Sequence, residues 1–323
     1  VKIIKARNVN DAYKQGWHLL EQHGVREPSR AGDVMVFEEP VTTQYTHPTE
    51  RVLFDRRRNA NPFFHFFESI WMLAGQNDAR WLDRFVHDFS ARFGEDMGVM
   101  HGAYGFRWRS HFGTDQLAHI VGMFQQSQYT RQAVLTMWDP TCDLEVSPTV
   151  KDKPCNTHIY FRIVDGELDM TVCNRSNDMI WGAYGANAVH MSFLQEWIAA
   201  TLDIPVGVYY QISNNFHAYV DTMAKIGGEA KYDAYSMKLC EPYPTPGGVK
   251  FLFDCQQFID FNGVEGIYAD KWWDDVAVPL YNTHIRFKQK DYEGARYELE
   301  KCKATDWRLV AENYIGERAS HGT

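Results

Sequence analysis

Lys153 to Ala200 reads KPCNTHIYFRIVDGELDMTVCNRSNDMIWGAYGANAVHMSFLQEWIAA, and its pattern decides what kind of fold the chain builds. Two alternating runs, Thr157 to Val164 and Glu167 to Asn174, flank Asp165-Gly166. Such runs joined by an Asp-Gly pair predict a β-hairpin, because a two-residue type I′ turn needs positive φ at both central positions. Cys155 then stands just before the first strand, and the second ends in Asn174-Arg175-Ser176-Asn177-Asp178. Polar side chains bunched where a chain leaves a sheet make the mouth of a site, not a core. Past Gly182 and Gly185 a helical period sets in, with Val189, Phe193 and Trp197 on one line and Leu194 and Ile198 beside it. Asn187 falls near that helix's N-terminus, where Asn is a favoured cap; on residue type alone it is a cap or a site residue.

Composition bounds what surrounds this stretch. At 323 residues the chain can bury a sizeable core, and one large α/β domain suits the length as well as two smaller ones. With no repeat, low-complexity segment or clear linker, a single domain over 1–323 is expected. Hydrophobic residues make up 45% and aromatic ones 15%, and no apolar run approaches the roughly 20 residues needed to span a bilayer. Val1-Lys2-Ile3-Ile4-Lys5 lacks the apolar segment and small-residue cleavage site of a secretory signal. The six cysteines, Cys142, Cys155, Cys173, Cys240, Cys255 and Cys302, form no CxxC pair, which suggests neither a zinc site nor a disulfide framework and fits a reducing cytoplasm. Cys173, inside a strand run, is expected in the core. A net charge of −9 argues against a general nucleic-acid surface but leaves room for a basic pocket around one phosphate.

The flanking sequence adds further elements. Asp11 to Glu21 predicts an amphipathic helix, Val25 to Asp33 a Pro and Gly loop carrying Arg26 and Arg30, and Val34 to Phe37 a strand. Asn59 to Gly75 is an apolar helix with one acid, Glu68, among Phe64, Phe67, Trp71 and Met72; an acid there wants a partner or a raised pKa, unless it lies at the surface. Tyr104 to Arg109 is an aromatic and basic patch. Asp115 to Gln126 predicts a helix, and Arg131-Gln132 precedes a strand from Ala133 to Trp138. Past the strand ending at Tyr210, His217 and Tyr219 share a face if extended. Then come a Gly227-Gly228 break, a loop from Glu241 to Gly248, an aromatic and acidic stretch around Trp272 to Asp275, and a helical region from Asp291 to Asn313.

In order along the chain, Pro154-Cys155, Arg175-Ser176-Asn177-Asp178, Asn187 at a helix start and His217-Ala218-Tyr219 resemble the thymidylate synthase superfamily. Four ordered motifs over roughly sixty residues are specific where any one alone is weak. The resemblance implies an α+β fold, a large mixed β-sheet flanked by helices, with one sheet face used for dimerisation. It also implies one-carbon transfer from 5,10-methylenetetrahydrofolate to C5 of a pyrimidine deoxynucleoside monophosphate, dUMP or dCMP. Cys155 matches the nucleophile that adds to C6, and Asn187 the amide that reads the base. Glu68, in Glu-x-x-Trp-x-Leu, matches a glutamate that handles protons through water, and Tyr104, in Tyr-Gly-x-x-Trp-Arg, a tyrosine near the C5 proton. Arg175 and Ser176 match the phosphate site, joined by Arg30 in preference to Arg26. Arg131 matches one of two arginines donated across a symmetric dimer, and Gln132 departs from the second. His217 and Tyr219 match the pair that bonds the sugar hydroxyl, and Asp178, with Trp181, the folate site. Nearby arginines and the start of an ordered element are expected to lower the Cys155 pKa.

Three departures point past the ordinary synthase. Asn156 follows the nucleophile where the synthases usually have His, Ala183-Tyr184-Gly185-Ala186 replaces Leu-Pro-Phe, and a divergent region from about 225 onward stands where a short apolar tail would close the site. The branch is set by what reaches the exocyclic methylene left at C5: hydride gives a methyl group, water a hydroxymethyl group. A hydroxymethylase is therefore expected first and a thymidylate synthase second. An Asn amide suits O4 and N3–H of uracil and, flipped, suits cytosine. Deoxycytidylate hydroxymethylases often carry Asp at that position, which favours uracil. Two other classes compete: a thiol hydrolase built on Cys155, His217 and Asn215, and a non-catalytic nucleotide or RNA binder. Neither accounts for Glu68, Arg131, Arg175 and Asp178 together.

Overall fold

Asp165 and Gly166 both adopt positive φ, 51° and 84°, and between them close the hairpin the sequence predicts. The computed structural model describes residues 1–145, 152–229, 231–263 and 268–321. Its strands are β1 Lys2–Ala6, β2 Val25–Glu27, β3 Val34–Phe37, β4 Val41–Tyr45, β5 Val134–Thr136, β6 Asn156–Val164, β7 Glu167–Asn174, β8 Asn177–Asp178, β9 Val206–Ser213 and β10 Phe216–Tyr219. They form a six-stranded mixed sheet in the order β1-β4-β9-β7-β6-β5 and a four-stranded one in the order β2-β3-β10-β8. The fold class is therefore the expected large mixed sheet flanked by helices.

Helix starts follow their caps. The Asn8 side chain accepts from the N–H groups of Asn10 and Asp11 to open Val9–His23. Asn61 accepts from Phe64 at 3.1 Å and Pro62 takes the first position of Pro62–Leu73. The helix Asn187–Thr201 is buried on every side from Asn187 to Ala199, which makes it the central helix between sheet and outer helices. Two of its buried polar residues bond across to neighbouring elements: Gln195 Nε2 donates to Leu168 O at 2.8 Å, and Glu196 meets Arg51 and Thr245. Pro62–Leu73 packs across it, backed from the C-terminal region by Trp272 and Trp307, whose rings lie 5.7 and 5.2 Å from Phe66.

Several expectations change. Val25–Glu27 is a short strand and not loop, because β3 offers it an antiparallel partner. The strand expected from Ala133 to Trp138 is ordered as a ladder only over Val134–Thr136, opposite Tyr160 to His158. Asp291 to Asn313 is two helices, Tyr292–Glu300 and Thr305–His321, broken between them by Lys301 to Ala304. Cys173 lies on the half-exposed face of β7, not in the core. That face runs across the sheet as a register row of Gln44, Tyr210, Thr171, Tyr160 and Val134, none of them buried. Among the described residues no helix is long and apolar enough to cross a membrane, and all six cysteines are free thiols.

Candidate active site

Cys155 sits at the foot of β6, where the ladder to β7 slips: Asn156 pairs with Asn174 and His158 with Cys173, leaving Thr157 as the extra residue. A bulge of this kind bends the strand and re-aims the side chains beside it. Arg175 ties down the preceding turn. Its backbone N–H donates to Cys155 O at 2.9 Å, and its guanidinium donates to Pro154 O and Lys153 O, each at 3.0 Å. The same guanidinium reaches the thiol, with Nη2 3.8 Å from Sγ. On the other side the Tyr104 hydroxyl oxygen accepts from the N–H groups of Cys155 and Asn156, both at 3.3 Å. With two donors on that oxygen, Tyr104 offers the cavity its O–H proton, and burial holds the phenol neutral, well above its usual pKa.

The thiol itself departs from expectation. Burial pushes the Cys155 pKa up, the Arg175 charge pulls it partly back, and Asp152 adds to the rise. The ordered element beginning here is a strand, whose small net dipole does nothing to offset the lost water.

Cys155, Tyr104 and Asp152 open onto a cleft of about 290 Å³, against 10–20 Å³ for three other concavities, while Arg175 stands behind the thiol and is not part of the lining. Of the residues singled out from sequence, Cys155, Glu68, Tyr104, Asn187, Ser176, Asp178 and Trp181 line it; so do Asn177, which the sequence placed in the polar mouth without a role, and Asp152 and His190, which sequence reasoning passed over. Arg30 and Arg131 are exposed and do not line it, and Arg26 is paired with Asp33 at 2.7 Å. His217 and Tyr219 do share a strand face, their rings 5.9 Å apart, but they too lie outside the lining. His217 Nδ1 is 2.7 Å from Asn215 Oδ1, while among the described residues the side chain at the thiol is Arg175, so the imidazole a thiol hydrolase needs is not at the sulfur.

Asn187 is not its helix's cap. Ala186 holds that place as the last residue of a π-helical turn, Met179–Ala186, that leaves helical geometry at Tyr184 and Gly185. The four residues Ala183 to Ala186, one more than the Leu-Pro-Phe they replace, are absorbed in that turn. Gly185 is required by it, since a Cβ there would stand 2.8 Å from Ile180 O.

The Asn187 amide belongs instead to a buried chain of side chains. Asn174 Nδ2 donates to Asn156 Oδ1, Asn156 Nδ2 to Asn187 Oδ1 at 3.2 Å, and Asn187 Nδ2 to Asn177 Oδ1 at 3.0 Å. Asn177 Nδ2 then donates to Gln211 Oε1 at 3.0 Å and Ser213 Oγ at 2.9 Å. Each amide fixes the next. Flipping Asn187 alone sets donor against donor at Asn156 and acceptor against acceptor at Asn177, which costs on the order of 2–6 kcal/mol for two buried groups. One lone pair and one N–H of Asn187 remain for a ligand, in a fixed sense. Gly182 makes room for this, because a Cβ there would lie 2.7 Å from Asn177 Oδ1 and 3.4 Å from Asn187 Nδ2.

At the start of the π-helical turn, Asp178 Oδ1 accepts from the N–H groups of Ile180 and Trp181 at 2.7 and 2.6 Å. Its Oδ2 is buried with no hydrogen-bond partner among the described residues, and burial raises the carboxyl's pKa against the pull of those N–H groups. Trp181 is 53% exposed and lies over the Arg58 guanidinium at 4.1 Å. Glu68 and His190 meet across the cleft, His190 Nε2 3.0 Å from Glu68 Oε2. Their alignment falls short of a hydrogen bond, so both atoms stay buried without a bonded partner among the described residues. The sequence signal for His190 was its place one turn after Asn187, on the same helix face.

The thymidylate synthase family model matches residues 12–241. A deoxyuridylate hydroxymethyltransferase of Pseudomonas phage M6 is 42% identical, over 98% of this chain and 95% of its own. A second, of Bacillus phage SP01, is 37% identical over 56% of this chain and 50% of its own. A putative thymidylate synthase of Methanosarcina acetivorans is 25% identical over 68% of this chain and 89% of its own.

Proposed function

The chain belongs to the thymidylate synthase family and is a one-carbon transferase; on that premise we propose that it hydroxymethylates C5 of dUMP, with 5,10-methylenetetrahydrofolate as one-carbon donor. One observation carries the reading: a thiol, a buried amide of fixed sense and an unpartnered carboxylate oxygen line the same cleft. The name of the phage M6 relative supports uracil as the base.

Cys155 Sγ adds to C6, and the ring electrons move onto C5 and O4, which turns a poor nucleophile into an enolate. Asn187 donates its free N–H to O4 and accepts from N3–H with its free lone pair. Cytosine presents the opposite pair, so reading it requires the amide flip that Asn156 and Asn177 resist. Asp178 Oδ2 fits the N–H donors of a pterin, with the Trp181 ring beside it. Folate, when bound, supplies the electrophilic carbon. Glu68 and the Tyr104 O–H serve the proton lost from C5 through water. Arg175 and Ser176 take the phosphate, with Arg30 and a second protomer's Arg131 closing on it, and His217 and Tyr219 take the sugar hydroxyl. Water as the final nucleophile is supported by the lining, whose last residue in chain order among the described residues is His190, while Val249–Asp260, Val278–Lys288 and Thr305–His321 pack against Pro62–Leu73.

Mass spectrometry on the protein with methylenetetrahydrofolate and dUMP is expected to find 5-hydroxymethyl-dUMP and tetrahydrofolate, with dCMP turned over far more slowly. A methyl product with dihydrofolate would place the chain with the synthases, and no change in either nucleotide would end the reading.

The half-exposed sheet face bearing Tyr160, Tyr210 and Ile212 supports a symmetric dimer, as does the exposed Arg131 beside β5. Sedimentation is expected to give twice the 37.5 kDa of one chain, and Tyr210→Glu to halve it. A monomer with full activity would remove the role given to Arg131.

A further inference from the structure

We propose that His190, oriented by Glu68, is the general base that draws the proton from water as it adds to the C5 methylene; this rests on the hydroxymethylation reading and names the group that carries out its last step. His190 is 3% exposed and lines the same cleft as Cys155 and Asn187. It follows Asn187 by three residues on one helix face, while Glu68 comes from the helix packed across it. C5 lies between C6, to which the sulfur would add, and C4, whose oxygen Asn187 would read, and His190, one turn from Asn187 in the same lining, is within the cleft where water must reach that carbon.

A carboxylate 3.0 Å from Nε2 sets the tautomer. It favours the proton on Nε2 and leaves the Nδ1 lone pair to accept another. The two atoms are close but misaligned without substrate, as catalytic pairs commonly are before the site fills. Neither atom has another hydrogen-bond partner among the described residues, so nothing competes for the contact.

The step balances. A water lone pair forms the O–C bond to the exocyclic methylene, and one O–H bond breaks as its proton moves to His190 Nδ1. The methylene π electrons pass through C5 to O4, and the enolate then re-forms the carbonyl and the C5=C6 bond while expelling Cys155 as thiolate. Glu68 stabilises the imidazolium formed. Over the cycle, the protons lost from C5 and from water balance the two N–H bonds gained by the released tetrahydrofolate.

Single turnover with C5-tritiated dUMP and methylenetetrahydrofolate separates this step from those before it. For His190→Asn and His190→Gln, tritium release is expected within about threefold of the unaltered protein, while hydroxymethyl product slows by about 10²–10⁴-fold, the usual range for a lost general base. An added small thiol should trap the stalled methylene as a thioether at C5, and imidazole should partly restore product in His190→Ala. Unchanged product formation in the variants, or tritium release falling in proportion to product, would overturn the assignment. Covalent adduct with 5-fluoro-dUMP reports that each variant is folded; loss of adduct in all three would make His190 structural and overturn it as well. No tritium release from the unaltered protein would instead refute the hydroxymethylation reading.

Discussion

Replacing Cys155 by Ala is expected to lower turnover of dUMP by at least about 10⁴-fold and to abolish any covalent adduct, because no other thiol lines the cleft among the described residues. The side chain is only partly buried and its sulfur makes one polar contact, at 3.8 Å to Arg175, so thermal stability should change little. 5-Fluoro-dUMP gives a direct readout. Fluorine at C5 cannot leave as a proton, so the adduct accumulates in the unaltered protein and its mass shift maps to the Cys155 peptide. The pH profile follows from the raised thiol pKa. Thiolate is the reactive form, so below that pKa its fraction, and with it the rate of adduct formation, should rise about tenfold per pH unit from about pH 6 to 8. A rate flat across that range would mean the thiol is already ionised when substrate is bound. Full activity in Cys155→Ala would remove covalent catalysis altogether.

Asn187→Asp carries the second large effect, on choice of base. The substitution replaces the N–H that meets Asn177 Oδ1 by an oxygen and removes the donor offered to O4, so uracil loses a partner on a buried edge. A site built to bond one edge rejects a mismatched one strongly, and the ratio of kcat/KM for dUMP over dCMP is expected to fall by at least about 10²-fold. Absolute activity should fall too, because the new carboxylate faces Asn177 Oδ1 across the old hydrogen bond, while Asn177 Nδ2 is held by Gln211 and Ser213. Steady-state kinetics with both nucleotides decides it. An unchanged ratio would show that Asn187 does not read the base.

Particular residues show how far sequence reading reached. The hairpin was legible because its turn is local: two residues with positive φ and two alternating runs suffice. Cys155, Asn187, Asp178 and Glu68 were legible because their motifs are short and ordered, and all four line one cleft. The sense of the Asn187 amide was not, since the residue type is the same for either orientation. It is decided by Asn156, Asn174, Asn177, Gln211 and Ser213, which four strands bring together around the start of the helix. The cap reading failed because the π-helical turn ends at Ala186 already in helical geometry, which makes Asn187 the first residue of the regular helix and not its cap.

The sequence by itself determined the sheet class and the family and singled out Cys155, because periodicity, turn chemistry and ordered motifs are properties of neighbours along the chain. Only the tertiary structure decided the raised thiol, the fixed amide and the meeting of Glu68 with His190. Burial and hydrogen bonding act between groups distant in sequence, and their strength depends on the water excluded when sheet and helices pack.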